Sequence, residues 1–223
     1  GVEGTSASVE LAAKADLILC IGTRMGDFAT GSQTMFRHPK VKFIGINPAG
    51  FDAFKQGALP IIADARETLN ALQKSCRSAG VKPRSVYAKD IRNAISKWEK
   101  ITAKESTITF PKEAMSQGHL IKTLNDEAKN GDTVVAAAGA PPGDLLKLWD
   151  ATGGRRCLLE FGNSCMGWEL PAGLGIRMTQ PKGEVCVFIG DGTYLMNPTD
   201  IVTAIQEDLK ITVVVSDNHG FQI

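Results

Sequence analysis

Two short polar segments in this 223-residue chain, separated by 24 residues, have the composition of a metal and anion site: Gly190-Asp191-Gly192 and Asp217-Asn218-His219-Gly220. A carboxylate, an amide oxygen and nearby backbone carbonyls are hard oxygen ligands that suit Mg or Ca, and Mg prefers to share its shell with phosphate oxygens. Gly192 leaves the backbone N–H groups of its turn open to an anion. Taken alone, a Gly-Asp-Gly is more readily a helix-capping aspartate beside a turn asparagine, and it is the paired spacing, with a strand before each half, that favours the metal site.

Each segment follows an apolar run, Val185 to Gly190 and Ile211 to Ser216, that reads as a buried parallel strand. Between them Asn197-Pro198-Thr199-Asp200 opens a helical pattern with Ile201, Ala204 and Ile205 on one face. Parallel strands joined by such a crossover present their carboxyl ends on one edge of the sheet. Asp191 and Asn218 are therefore expected in one crevice.

The rest of the chain repeats this alternation, and the expected fold class is α/β with two parallel-sheet αβα units. A helix over Thr5 to Ala15 precedes strands at Asp16 to Gly22, Val41 to Asn47 and Leu59 to Asp64, and a helix runs from Ala65 to Cys76. The loop Gly22 to Gly31 lies at a strand's carboxyl end but lacks Gly-x-Gly-x-x-Gly; its Arg24 could contact a nucleotide or form a surface ion pair. Pro83 and Pro111 bracket an amphipathic helix from Val86 to Ile101, with Ile91, Ile95 and Trp98 on its apolar face, and a domain boundary falls near 112. Beyond it come a helix from His119 to Asn130 and a strand from Thr133 leading into the loop Gly139 to Asp144. A helix from Leu145 to Asp150 and a strand from Arg156 to Glu160 follow.

Composition excludes several classes. The apolar content is 43% and the net charge +1, with no apolar run of membrane-spanning length and no basic-then-apolar leader, so neither a membrane span nor a signal peptide is expected and the chain reads as cytoplasmic. Residues 1–110 carry 16 basic and 10 acidic side chains and residues 111–223 carry 9 and 14, but the basic excess lacks the aromatic interleaving of a nucleic-acid surface. The five cysteines are an odd number without a Cys-x-x-Cys pair and read as buried reduced thiols.

The segment from Gly190 to Asn218 resembles the cofactor signature of the thiamine diphosphate-dependent superfamily that contains acetolactate synthase and pyruvate decarboxylase: Gly-Asp-Gly, about two dozen residues, then Asn-Asn, with Asp217 replacing the first asparagine. The resemblance implies thiamine diphosphate and Mg as cofactors, with Asp191, the side chain of Asn218 and the carbonyl of Gly220 as metal ligands. Gly190, Gly192 and Thr193 would also face the cofactor. The segment Phe161 to Gly175, with Met166-Gly167 and then Pro171-Ala172, looks like the family's cofactor segment and lies 25 residues before Asp191, counted from Met166. By that match Met166 would wedge between the cofactor's two rings, and the backbone of Ser164 and Met166 would hold its aminopyrimidine. The loop Gly139 to Asp144 corresponds to one that helps hold the diphosphate, although its two prolines remove two donors.

The resemblance further implies residues 1–76 as the C-terminal part of a central domain, 77–112 as a linker with a helix, and 113–223 as a diphosphate-binding domain truncated at its end. The chain thus reads as a fragment of a longer member, without turnover alone. The family's catalytic glutamate belongs to an N-terminal domain and reaches across a subunit interface, implying a homodimer or homotetramer with shared active sites. Ala15 to Gly31, Ser164 to Glu169, Gly192 to Met196 and Asp217 to Gln222 look closest to the branch that hydrolytically opens a cyclic polyhydroxy dione in myo-inositol breakdown. An acetolactate synthase-like or 2-oxo acid decarboxylating activity is the alternative enzyme; a non-catalytic cofactor-binding or assembly module is an alternative of another class. His219 could carry a proton near neutral pH or contact a phosphate.

Overall fold

Polar caps start the helices of this chain where the sequence supplies them, and apolar strands alternate with them along its length. The computed structural model describes residues 1–108, 115–160 and 162–221; Pro111, Phe161, Gln222 and the boundary near 112 lie outside the described residues. The fold is α/β with two parallel sheets, and the chain divides into two compact units, Gly1–Lys100 and Ile101–Ile223.

In the first unit α1 (Ser6–Lys14) begins where Thr5 Oγ1 accepts the Ser8 N–H at 3.1 Å. Then follow β1 (Leu17–Ile21), the single turn α2 (Asp27–Thr30), β2 (Lys42–Ile46), the turn α3 (Gly50–Ala53) and β3 (Leu59–Ile61). The sheet order is β1-β2-β3, with Leu19 paired to Ile44 and Ile44 to Leu59. Strand β2 needs Gly45, because a Cβ there would lie 2.1 Å from the Ala53 carbonyl oxygen of α3. One side of β1 is uncovered: Leu17, Leu19 and Ile21 are exposed while Cys20 is buried. Arg24 is exposed and makes no ion pair among the described residues.

Two helices complete the first half of the chain. Asp64 caps α4 (Ala65–Ser78) by accepting the Glu67 N–H at 3.1 Å. The long α5 (Ser85–Glu105) contains the point at which the two units divide. Its buried face centres on Ala94, flanked by part-buried Ile91 and Trp98; Ile95, expected on that face, is exposed. The spacing 91, 94, 98 follows the helical repeat, and an alanine within it carries little apolar signal because it is small.

The second unit runs α6 (Gln117–Glu127), β4 (Thr133–Ala136), α7 (Ala140–Leu148), β5 (Arg156–Leu159), α8 (Glu169–Thr179), β6 (Val185–Gly190), the turn α9 (Asp191–Tyr194), α10 (Asp200–Gln206) and β7 (Thr212–Ser216). Its sheet order is β5-β4-β6-β7, all parallel. The two central strands are buried on both faces, which is why they read as unbroken apolar runs. Val134, Ala136 and Phe188 pack with Ile121 of α6 and Leu145 of α7 on one face; Val135, Val187 and Ile189 pack with Leu170 of α8 on the other. Strand β7 is less buried than its apolar composition suggests, because it is the last strand in the order and Val215 is exposed. Likewise Ala204 of α10 is buried but Ile205 is exposed.

Two helix starts differ from the sequence expectation. Helix α6 begins at Gln117 rather than His119, since Ser116 Oγ accepts the His119 N–H at 3.1 Å and so caps the turn before it. Helix α7 begins at Ala140 rather than Leu145, and Pro141 and Pro142 lie in its first turn. There the missing N–H groups cost nothing, because the first-turn donors have no partner inside the helix. Helix α8 approaches the sheet through Gly173, where an added Cβ would lie 2.5 Å from Cγ2 of fully buried Val187. Gly173→Ala is expected to destabilise the protein by about 1–3 kcal/mol in urea unfolding; a change below about 0.5 kcal/mol would mean that α8 slides freely over β6. Among the described residues no helix is long and apolar enough to cross a membrane.

Candidate functional site

The parallel register of β6 and β7 pairs Gly190 with Ser216, so the polar segments that follow both strands leave the sheet at the same edge. A cavity of about 450 Å³ opens there. All eight positions expected to face a cofactor line it: Ser164, Met166, Gly190, Asp191, Gly192, Thr193, Asn218 and Gly220. His219 does not; its side chain is 91% exposed and pairs with Asp217, Nδ1 to Oδ1 3.2 Å. Asp217 also accepts the His219 backbone N–H at 2.9 Å, so the aspartate that replaces an expected asparagine shapes the loop.

Asp191 stands at the first position of α9, after extended Gly190. The loop after β7 then turns back on itself, with His219 at φ 63° and Gly220 at φ 136°, the latter a conformation that only glycine adopts readily. This reversal brings the Gly220 carbonyl to the Asn218 side chain. One terminal atom of the Asn218 amide lies 3.2 Å from Asp191 Oδ1 and 2.6 Å from the Gly220 carbonyl oxygen. With nitrogen at that position the amide donates to both. With oxygen there, three oxygens face one another with no proton between them, and only a cation stabilises the group. Ligand oxygens about 3 Å apart are what an octahedral Mg shell requires, given Mg–O bonds of 2.0–2.1 Å. The residues present therefore fit a Mg ion that shares its shell with an anion. Among the described residues no three His, Cys, Asp or Glu side chains converge, so the site offers a single carboxylate and leaves room for phosphate oxygens.

Ser164 and Met166, in the turn before α8, also line the cavity. Ser164 has φ 54° and Gly167 φ 88°, and Met166 between them is 47% exposed, so it fills no core gap. Two glutamates brace this turn. Glu160 accepts the Asn163 N–H at 2.9 Å and the Cys165 N–H at 2.8 Å, and these donors hold its carboxyl below the usual range. Glu169, 1% exposed, accepts the Gly167 N–H at 3.1 Å and the Ala138 N–H at 3.2 Å. Burial pushes its carboxyl above the usual range, against the opposing pull of those N–H groups. Cys165 is exposed in the same turn, contrary to the expectation that all five thiols are buried. Burial does raise the thiols of Cys157 and Cys186, to about 11 in each case.

The cavity also includes Gly139 to Pro141 of the small-residue loop singled out in the sequence, with Ala138 before it, and two residues outside the expected site, Phe221 and Gln117. Ala138 to Pro141 contribute the turn into α7, and Phe221 covers Gly192 so closely that a Cβ there would lie 2.6 Å from its ring. Gln117 lines the cavity, accepting from Ser216 Oγ at 2.8 Å and donating to Asp144 Oδ2 at 2.6 Å. Glu169 carried a visible signal, an acidic residue inside the apolar segment Met166 to Leu170; Gln117 carried none.

Comparison with known proteins places these features in a family. Residues 137–223 match the model "Thiamine pyrophosphate enzyme, C-terminal TPP binding domain" and residues 1–72 match "Thiamine pyrophosphate enzyme, central domain", thiamine pyrophosphate being another name for thiamine diphosphate. The chain is 36% identical over 245 residues to a 3D-(3,5/4)-trihydroxycyclohexane-1,2-dione hydrolase of Halalkalibacterium halodurans, covering 99% of this chain and 38% of that protein. A 3D-(3,5/4)-trihydroxycyclohexane-1,2-dione hydrolase 2 of Bacillus cereus and a hydrolase of the first name from Bacillus subtilis are 35% and 34% identical, again over 99% of this chain and 38% of theirs. The chain thus spans well under half the length of these relatives. On both domain matches and on these relatives, the chain belongs to the thiamine pyrophosphate enzyme family.

Proposed function

We propose that this chain is the cofactor-holding part of a thiamine diphosphate- and Mg-dependent hydrolase that opens trihydroxycyclohexane-1,2-dione to a deoxyglucuronate in myo-inositol catabolism. The observation that carries it is the oxygen cluster of Asp191, Asn218 and Gly220 in a cavity shared with Ser164 and Met166. The names of the relatives support the substrate.

In this proposal Asp191, the side-chain oxygen of Asn218 and the carbonyl of Gly220 hold Mg. Gly190, Gly192 and Thr193 face the diphosphate, the backbone of Ser164 and Met166 holds the aminopyrimidine, and the Met166 side chain supports the bent cofactor. Thiamine diphosphate bound there supplies an electron sink for breaking a C–C bond beside a carbonyl. The chain's own contribution is orientation: Asn218, with its amide oxygen toward Asp191 and Gly220, would complete the oxygen set for Mg, and Phe221 covers the turn at Gly192. Residues 1–76 act as part of the central domain, 77–112 as a linker with a helix, and 113–223 as the diphosphate-binding domain. The whole protein works as a cytoplasmic homodimer or homotetramer with a partner glutamate completing the site.

The full-length protein, supplied with Mg and thiamine diphosphate, is expected to turn over the cyclic dione and not pyruvate. Turnover of pyruvate alone would replace the hydrolase with an acetolactate synthase-like or decarboxylating activity. Binding of the cofactor without turnover of either would leave an assembly module.

A further inference from the structure

Glu169 is the first residue of α8, and its carboxylate is almost wholly withdrawn from solvent. Its two oxygens serve different segments. Oε1 accepts the N–H of Ala138, at the end of β4 where the chain turns into α7; Oε2 accepts the N–H of Gly167, the residue after Met166. Both segments line the same cavity, one through Ala138 and Gly139 and the other through Ser164 and Met166. No ion pair to Glu169 exists among the described residues, so its charge is met by backbone dipoles. A buried carboxylate without a cation is costly, and an apolar side chain would pack at less cost while orphaning both N–H groups. The position therefore serves the two turns rather than the stability of the core.

We propose that Glu169 is a positioning residue that sets the separation of these two turns, so that one ligand can engage both at once. This rests on the thiamine diphosphate reading above, in which the backbone of Ser164 and Met166 holds the aminopyrimidine, together with the resemblance of the loop Gly139 to Asp144 to one that helps hold the diphosphate. A ligand that spans the cavity then depends on Glu169, whereas one that occupies only the metal end does not.

Calorimetric titration of the full-length protein with two probes, Mg with inorganic pyrophosphate and Mg with thiamine diphosphate, tests the proposal. In Glu169→Gln the side chain keeps its shape, but its NH2 meets one of the two N–H donors and releases that turn. Thiamine diphosphate affinity is expected to fall roughly 10- to 100-fold, the loss of one hydrogen bond to a charged group, while pyrophosphate affinity, which needs only one of the two turns, falls clearly less. Equal losses for both probes, or no loss for either, would overturn the proposal. If the unaltered protein fails to bind thiamine diphosphate, the cofactor reading fails instead. Should Glu169→Gln not fold, Glu169→Asp, which keeps the charge and loses the reach to one turn, is read by the same two titrations. If neither folds, hydrogen exchange on the unaltered protein decides. The amides of Ala138 and Gly167 are expected to gain protection together with thiamine diphosphate and not with pyrophosphate, and independent behaviour of the two would count against the proposal.

Discussion

Asp191→Ala is expected to abolish the thermal stabilisation that Mg and thiamine diphosphate confer on the full-length protein. A ligand at 100 times its dissociation constant stabilises the folded state by about 2.7 kcal/mol, which for a protein more than twice the length of this chain raises the melting temperature by roughly 2–3 °C. Asp191 supplies the one carboxylate of the oxygen cluster, so without it a metal held there would meet two neutral oxygens, Asn218 and Gly220, and a diphosphate would lose its bridge to the protein. The fold itself has little at stake there. Asp191 is part-buried at the start of a one-turn helix, where a carboxylate contributes about 0.3–1 kcal/mol. Differential scanning fluorimetry with and without the two ligands separates these effects: a near-normal melting temperature without ligand, and no rise with it. A rise retained by the variant would remove Asp191 from the metal site.

Phe188→Ala is expected to cost about 3–5 kcal/mol in denaturant unfolding, with the slope of the transition unchanged. Phe188 is fully buried and packs among Ile121, Val134, Ala136 and Leu145, which come from α6, β4 and α7. Among the described residues its ring is the largest wholly buried side chain, and the beta-strand backbone around it cannot collapse to fill the void. Since domains of this size are stable by only about 5–15 kcal/mol, such a loss takes much of the total. Ile205→Ala gives the contrast: Ile205 is 75% exposed on α10, and its truncation is expected to stay within about 0.5 kcal/mol. A Phe188→Ala loss below about 1.5 kcal/mol would show that the core on that face repacks. The strand that carries Phe188 ends at Gly190-Asp191, so the same core holds the candidate metal ligand at the sheet edge.

Features that depend on neighbours along the chain were legible. Val185 to Gly190 is a strand over the whole expected range, because a strand covered on both faces is apolar at every position. The starts of α6 and α7 were less so. Ser116 lengthens one helix by capping it, and two prolines that look like a break are tolerated in the first turn of the other. On α5 the buried face runs through Ala94, where close packing selects a small residue that a count of large apolar side chains overlooks.

By itself the sequence determined the α/β alternation, the parallel strands and the pairing of Gly190-Asp191-Gly192 with Asn218 at one sheet edge, since apolar periodicity and crossover geometry are local properties. Only the tertiary structure decided that the Asn218 amide sits between Asp191 and the Gly220 carbonyl, at 3.2 and 2.6 Å. It alone decided that Glu169 joins Ala138, 31 residues away, and that Gln117 meets Ser216, 99 residues away. Such contacts follow from strand register and helix packing, which bring together side chains whose nearest sequence neighbours carry no trace of the meeting.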